Sequence, residues 1–265
     1  MDITSGSATL ATESHGSGPD VLLIHAGVTD QRSWTHVVDA LPDHRVISYD
    51  ARGFGRTTYA PEEGWSPVGD AVAVLDGYDA VRPIVVGASM GGRTALDLAL
   101  RHPDRVQALV LIGPAISGAP DEAVEELVKP LEEEYDAAYE AEDLAELNRL
   151  EAHLWLDGPL TPEGRVGGPA RELFLEMNGL ALASPEPGEA RQVDPAWDRL
   201  ADIGAPTLVL VGEHDLRHVR ENAAHLAATM PDARLVELPG VAHLPHLEAD
   251  PATLREIADF VGALR

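Results

Sequence analysis

The 265-residue chain contains no cysteine. Disulfides, thiolate nucleophiles and cysteine-ligated zinc are excluded at the outset. Lysine is almost missing as well. Lys129 is the single one, and 19 basic residues face 45 acidic ones, for a formal net charge of −26. A field of that sign repels phosphate backbones and anionic membrane surfaces, so neither nucleic acid nor a lipid surface is an expected partner. A salty or GC-rich host is enough to account for the acidity, which speaks to solubility and encounter rather than to fold. No apolar run approaches the roughly 18–20 residues that span a bilayer. The first twenty residues, MDITSGSATLATESHGSGPD, show no basic stretch leading into an apolar one, so the expectation is a cytoplasmic protein without a secretory signal.

What is present is an ordinary globular composition, 45% hydrophobic and 24% charged, in a length that suits one large core with an insertion. Short apolar runs recur at 21–27 (VLLIHAG), 45–50, 83–89 (PIVVGAS), 106–113 (VQALVLIG), 206–213 (PTLVLVGE) and 233–240 (ARLVELPG). They lack polar alternation, as strands buried on both faces do. Helical patterns lie between them near 33–41, 66–80, 90–102, 217–230 and 250–264. Such alternation predicts an α/β fold, a mostly parallel sheet with helices on both faces. From 117 to 200 the rhythm breaks. Leu144, Leu147, Leu150 and Leu154, then Leu173, Phe174 and Met177, recur at helical spacings, with Pro- and Gly-rich loops between. Residues 119–200 hold 21 acidic and 6 basic side chains. The expected organisation is a core of 1–116 and 201–265 with 117–200 inserted over one end of the sheet.

Gly87-Ala88-Ser89-Met90-Gly91 fits G-x-S-x-G between an apolar strand and a helical pattern. A serine on so sharp a turn is held in a strained backbone conformation that projects its hydroxyl, and small residues two positions away leave room for the turn. A serine hydroxyl is a poor nucleophile without a base, and the base needs an orienting acid. Strand ends in the last third of the chain supply both, Asp215 in GEHD and His243 in GVAH. Ligands of open α/β sheets bind beyond the carboxyl ends of the strands, where the three side chains are expected to converge. An oxyanion also needs backbone donors. His25-Ala26-Gly27-Val28 ends the first buried strand and can direct an N–H into the site, with the N–H of Met90 as its partner. His25 is expected to anchor that turn rather than to carry a proton.

Taken in order, the HAG turn, Asp50-Ala51-Arg52-Gly53-Phe54-Gly55-Arg56-Thr57, GASMGG, GEHD and GVAH make the chain resemble the α/β-hydrolase superfamily over essentially its whole length. The resemblance implies a triad of Ser89, Asp215 and His243, oxyanion donors at Gly27 and Met90, and a helical cap at 117–200. Ala26 stands where glycine is more usual, which leaves Gly27 and Val28 both eligible as the second donor. Relatives that open epoxides or displace halide look to an aspartate at the elbow, so the serine sets them aside. Lys129, in the acidic run EELVKPLEEEY, reads as a solvated helix residue rather than a lyase lysine. His214 and His218 stand one helical turn apart, with His243 and His246 elsewhere, but no glutamate occupies the zincin position, so no metal is expected. The expectation is a cofactor-independent serine hydrolase acting on small to medium uncharged esters or lactones. Carbon–carbon bond or enol-lactone hydrolysis, and non-catalytic ligand binding, are the alternatives. Val28, Trp34, Trp155, Phe174, Met177 and Leu180 are expected as apolar pocket walls.

Overall fold

In the computed structural model, which describes residues 1–120, 125–191 and 193–264, the apolar runs form the middle of one sheet. Among the described residues its strands are β1 (Asp2–Ser5), β2 (Ala8–His15), β3 (Asp20–Ile24), β4 (Arg45–Tyr49), β5 (Ile84–Ala88), β6 (Ala108–Ile112), β7 (Thr207–Gly212) and β8 (Ala233–Leu238). Their spatial order is β1-β2-β4-β3-β5-β6-β7-β8. β1 and β2 pair antiparallel with each other, β2 pairs antiparallel with β4, and every other pairing is parallel. The helices are α1 (Thr35–Ala40), α2 (Pro67–Gly77), α3 (Met90–Arg101), α4 (Lys129–Glu140), α5 (Leu144–Glu151), α6 (Gly168–Leu182), α7 (Arg217–Thr229) and α8 (Pro251–Ala263). None is long and apolar enough to cross a membrane.

The two-residue period of a strand sorts the core into two layers. Leu22, Ile24, Val85, Leu109, Leu111, Val209 and Val211 pack with α2, α3 and α7 on one face. Val21, Leu23, Val86, Val110, Ile112, Leu208 and Leu210 pack with α1 and α8 on the other. Helix starts follow local chemistry. Ser66 accepts from the Gly69 N–H with Pro67 opening α2, and Asp250 accepts from the Thr253 N–H with Pro251 opening α8.

Two strand expectations need correction. The antiparallel pair β1–β2 lies in a stretch that gave no strand signal, because DITSGSATLATESH is mostly polar and its inward residues are Ile3, Ala8, Leu10, Ala11 and Thr12. The apolar run 233–240 predicts a strand buried on both faces, but β8 is the sheet edge, and Arg234, Leu235 and Glu237 face solvent. An edge strand has one neighbour and one open side, and charges there discourage further pairing.

Between β6 and β7 the chain leaves the sheet and returns at one place. Ser117 O accepts from the Trp197 N–H at 3.0 Å, and Ser117 Oγ accepts from the Ala196 N–H at 2.9 Å. α4, α5 and α6 fill the excursion, of which residues 121–124 and 192 lie outside the described residues. Ala138, Leu147 and Leu150 make a small cluster of their own, whereas Leu156, Phe174 and Met177 join the second layer of the main core. Asp157 is fully buried and organises the loop before α6. It accepts from the Gly164 and Val166 N–H groups and pairs with Arg171 at 2.7 Å.

Arg52 ties the early part of the chain together. Its buried guanidinium bonds Asp70 (2.9 Å), Glu62 (2.7 Å) and Ser5 O (2.8 Å), joining β1, α2 and the turn after β4. Removing one member of a buried ion pair leaves its partner charged and desolvated, at a cost of about 3–5 kcal/mol. Arg52→Leu is therefore expected to lower unfolding stability by about that amount in a urea titration with an unchanged m-value. A loss below about 1 kcal/mol, the range of exposed pairs, would mean that water already solvates Asp70 in the folded protein.

Candidate active site

Ser89 follows β5 and precedes the first residue of α3 with φ 50° and ψ −113°, a positive-φ conformation unusual for a residue with a side chain. Its neighbours explain how the turn is tolerated. A Cβ on Gly91 would run into the Ile24 and His25 carbonyl oxygens, and one on Gly87 would run into the backbone of Gly91 and Gly92. The Ser89 N–H donates to Ile112 O at 2.9 Å, and its carbonyl accepts from Arg93 and Ala115. The hydroxyl is thereby set at the carboxyl end of the parallel sheet, in front of a helix N-terminus.

Asp215 follows β7 and His243 follows β8. Both are buried, and His243 Nδ1 lies 2.8 Å from Asp215 Oδ2. With Asp215 ionised, Nδ1 carries the proton and Nε2 presents a lone pair. That Nε2 is buried with no hydrogen-bond partner. Ser89 and His243 line one cavity of about 300 Å³, together with Gly113, Pro114, Ile116, Trp155, His218 and Asn222 among others. The loop bearing His243 is held from below. Glu248 accepts from the Ala242 N–H and pairs with Arg165, which also donates to Gly240 O.

The turn after β3 lies against the elbow. A Cβ on Gly27 would stand 3.7 Å from both Cβ and Sδ of Met90. Behind it, His25 is fully buried. The Ala51 N–H donates to its Nε2 at 3.0 Å, so Nδ1 is the protonated nitrogen and donates to Ala26 O at 2.8 Å. Burial holds this imidazole below the ordinary histidine pKa, so it is a neutral brace between two turns.

Of the six predicted walls, Trp155 lines the Ser89 cavity, with its ring 4.8 Å from that of His243. Trp34, Phe174 and Met177 are fully buried in the second core layer. Trp34 stacks on His246 at 4.3 Å, and Met177 Sδ accepts from the Asp30 N–H at 3.4 Å. Val28 packs half-buried on the same layer. Leu180 departs furthest, at 46% exposed on α6, because helical spacing does not distinguish the outward side of a two-turn apolar stripe. Among the described residues no group of three His, Asp or Glu side chains is disposed to hold a metal ion, and His214 and His218 do not form one.

Sequence reading missed two residues. Gly113, at the end of β6 with φ +48°, faces the His–Asp pair so closely that a Cβ would stand 2.9 Å from His243 Nδ1 and 3.1 Å from Asp215 Oδ2. Its signal was a glycine closing a buried strand. His246 is the other, fully buried beside Trp34 with neither ring nitrogen hydrogen-bonded.

The chain belongs to the alpha/beta hydrolase fold family, whose profile matches residues 19–250. It is similar to the pimeloyl-acyl-carrier-protein methyl ester esterase of Nitrosospira multiformis, with 28% identity over 96% of this chain and 99% of that protein. It is similar to the 2-hydroxy-6-oxo-6-phenylhexa-2,4-dienoate hydrolase of Burkholderia cepacia, with 29% identity over 93% of this chain and 88% of that one. Among solved structures, the enol-lactonase from Burkholderia xenovorans superposes with a TM-score of 0.78 at 26% identity, covering 99% of this chain and 100% of its own.

Burial, with His243 and His36 nearby, pushes the pKa of His246 down to about 3. The unfolded chain takes up that proton near pH 6.5, so stability falls as pH drops from about 6.5 towards 3 and is fully present above that window. One differential proton contributes at most about 1.4 kcal/mol per pH unit. His246→Phe, which keeps a ring against Trp34, is expected to flatten the acid limb of a stability-versus-pH curve by up to that slope. Superimposable slopes for the two proteins would mean that His246 is protonated in the fold.

Proposed function

We propose that the protein is a serine hydrolase that cleaves carboxylic esters or lactones of small to medium uncharged substrates through an acyl-enzyme. Ser89 is the nucleophile, His243 the base and then the acid, and Asp215 the group that orients the imidazole. One observation carries the reading: the 2.8 Å contact between His243 Nδ1 and Asp215, with Nε2 of the same ring unpartnered beside the cavity that Ser89 lines. In this scheme Nε2 takes the Ser89 proton as Oγ attacks the carbonyl carbon, and Asp215 stabilises the resulting imidazolium. The tetrahedral oxyanion accepts from the N–H groups of Met90 and Gly27, each such donor being worth about 2.7–4 kcal/mol of barrier. Gly27 lies near enough to the Met90 side chain to support a donor from the turn after β3, with Gly27 and Val28 both eligible. Collapse expels the alcohol with the proton from His243, and water repeats the cycle on the acyl-enzyme. Residues 117–200 act as the cap and 1–116 with 201–265 as the core. The pairing of Ser117 with Ala196 and Trp197 supports that division.

Carbon–carbon bond hydrolysis on the same triad is the second reading, favoured by the likeness to the dienoate hydrolase. A dienoate carries a carboxylate, however, and the described lining of the Ser89 cavity holds no arginine or lysine, its basic side chains being His218 and the proposed base His243. That lining favours an uncharged ester.

The test is hydrolysis of a p-nitrophenyl ester series near neutral pH. Wild-type protein is expected to turn over and to ignore a chelator, Ser89→Ala to lose about 10⁶-fold in kcat, and Asp215→Asn to fall by about 10⁴-fold. Full activity in Ser89→Ala would remove the triad from the mechanism. A folded wild type inert towards every ester would move ligand binding ahead.

A further inference from the structure

Two cavities meet at one side chain. The first, about 300 Å³, is the one lined by Ser89 and His243. The second, about 390 Å³, is bounded by α4 and α5 and by the widened π-type turns Ala152–Asp157 that continue α5. Leu131, Tyr135, Leu150 and Leu154 give it apolar walls, with half-buried Glu132 and exposed Asp136 in the same lining. The carboxylate of Glu151, also in that lining, is already satisfied by the Tyr135 hydroxyl (3.1 Å) and by Asn178 Nδ2 (2.5 Å), so it makes no demand on an occupant. Trp155 belongs to both linings, and among the described residues it is the one they share. The π-type turns change the register after α5 and set the indole beside the His243 ring.

The geometry points to Trp155 as the specificity-determining wall that limits how long a chain the site accepts, with the second cavity as the space behind it. This rests on the ester-hydrolase reading. With the indole in place, a chain attached to the ester carbonyl ends against a rigid aromatic plane. With it removed, the two spaces join, and an unbranched apolar chain of medium length continues between Leu131, Leu150 and Leu154. The indole also touches His243, so its loss changes the rate on every substrate. That common factor cancels in a ratio of two substrates, whereas a change in accepted length does not.

The experiment compares kcat/KM for p-nitrophenyl octanoate with that for the acetate, in wild type, Trp155→Phe, Trp155→Leu and Trp155→Ala, with folding checked by thermal melting. The octanoate-to-acetate ratio is expected to rise about tenfold or more in the Leu and Ala variants and to stay close to wild type in Trp155→Phe. Adding Leu131→Phe to Trp155→Ala refills the second cavity and is expected to bring the ratio back down. If Trp155→Ala does not fold, Trp155→Leu, which keeps an apolar side chain there, carries the comparison. A wild type that cleaves the acetate while the Leu and Ala variants keep its ratio overturns Trp155 as the limiting wall. A wild type that cleaves neither ester overturns the hydrolase reading and this inference with it.

Discussion

The close approach of the first turn of α3 to the end of β3 is the constraint on which the rest of this structure depends. Gly91 lies so near the Ile24 and His25 carbonyls that no side chain fits, and Gly87 is pinned against the same turn. Ser89 is forced through positive φ between them. Parallel pairing of β5 with β3 and β6 brings all three strand ends to one edge, which is where the chain can place groups from distant segments together. The strain of one residue costs of order 1–3 kcal/mol, and only a rigid, doubly buried sheet can hold it. The brace formed by His25 between the turns after β3 and β4 serves the same end.

How much of this could be read from the chain follows from burial. β3, β5, β6 and β7 are covered on both faces, so their residues are apolar without interruption and the runs announce themselves. β1 and β2 are half wet, and their few inward residues are diluted by Ser and Thr, which left them unread. β8 misled because Leu235 and Val236 give an apolar run to a strand that the fold leaves at the edge. At the site, Asp215 and His243 were legible because each follows a strand end in a short glycine-bearing motif. The cavity walls were not. Phe174 and Met177 have the spacing of residues that face something, and sequence cannot say whether that something is core or open space. Gly113 carries its information in a backbone angle and in an absent side chain, of which the sequence shows only a glycine closing a buried strand.

Arginine and aspartate do much of the joining in a chain so short of lysine. Asp157 with Arg171 fixes the loop before α6, and Arg165 with Glu248 links that loop to the segment bearing His243. The planar guanidinium suits this work, since Arg165 reaches Glu248 with two nitrogens while also donating to three carbonyls. The helical excursion is therefore fastened to the His243 loop by directed bonds as well as by Phe174 and Met177 in the core.

Lys129 opens α4, half-exposed and paired with Glu126, one helical turn ahead of Glu132 in the wall of the second cavity. Since no other lysine competes for an amine-selective reagent, a dye can be attached at this ε-amine without engineering, once the α-amino group is blocked or distinguished by its lower pKa. The unaltered chain thus carries its own optical reporter position, on one of the two helices that bound the space behind Trp155.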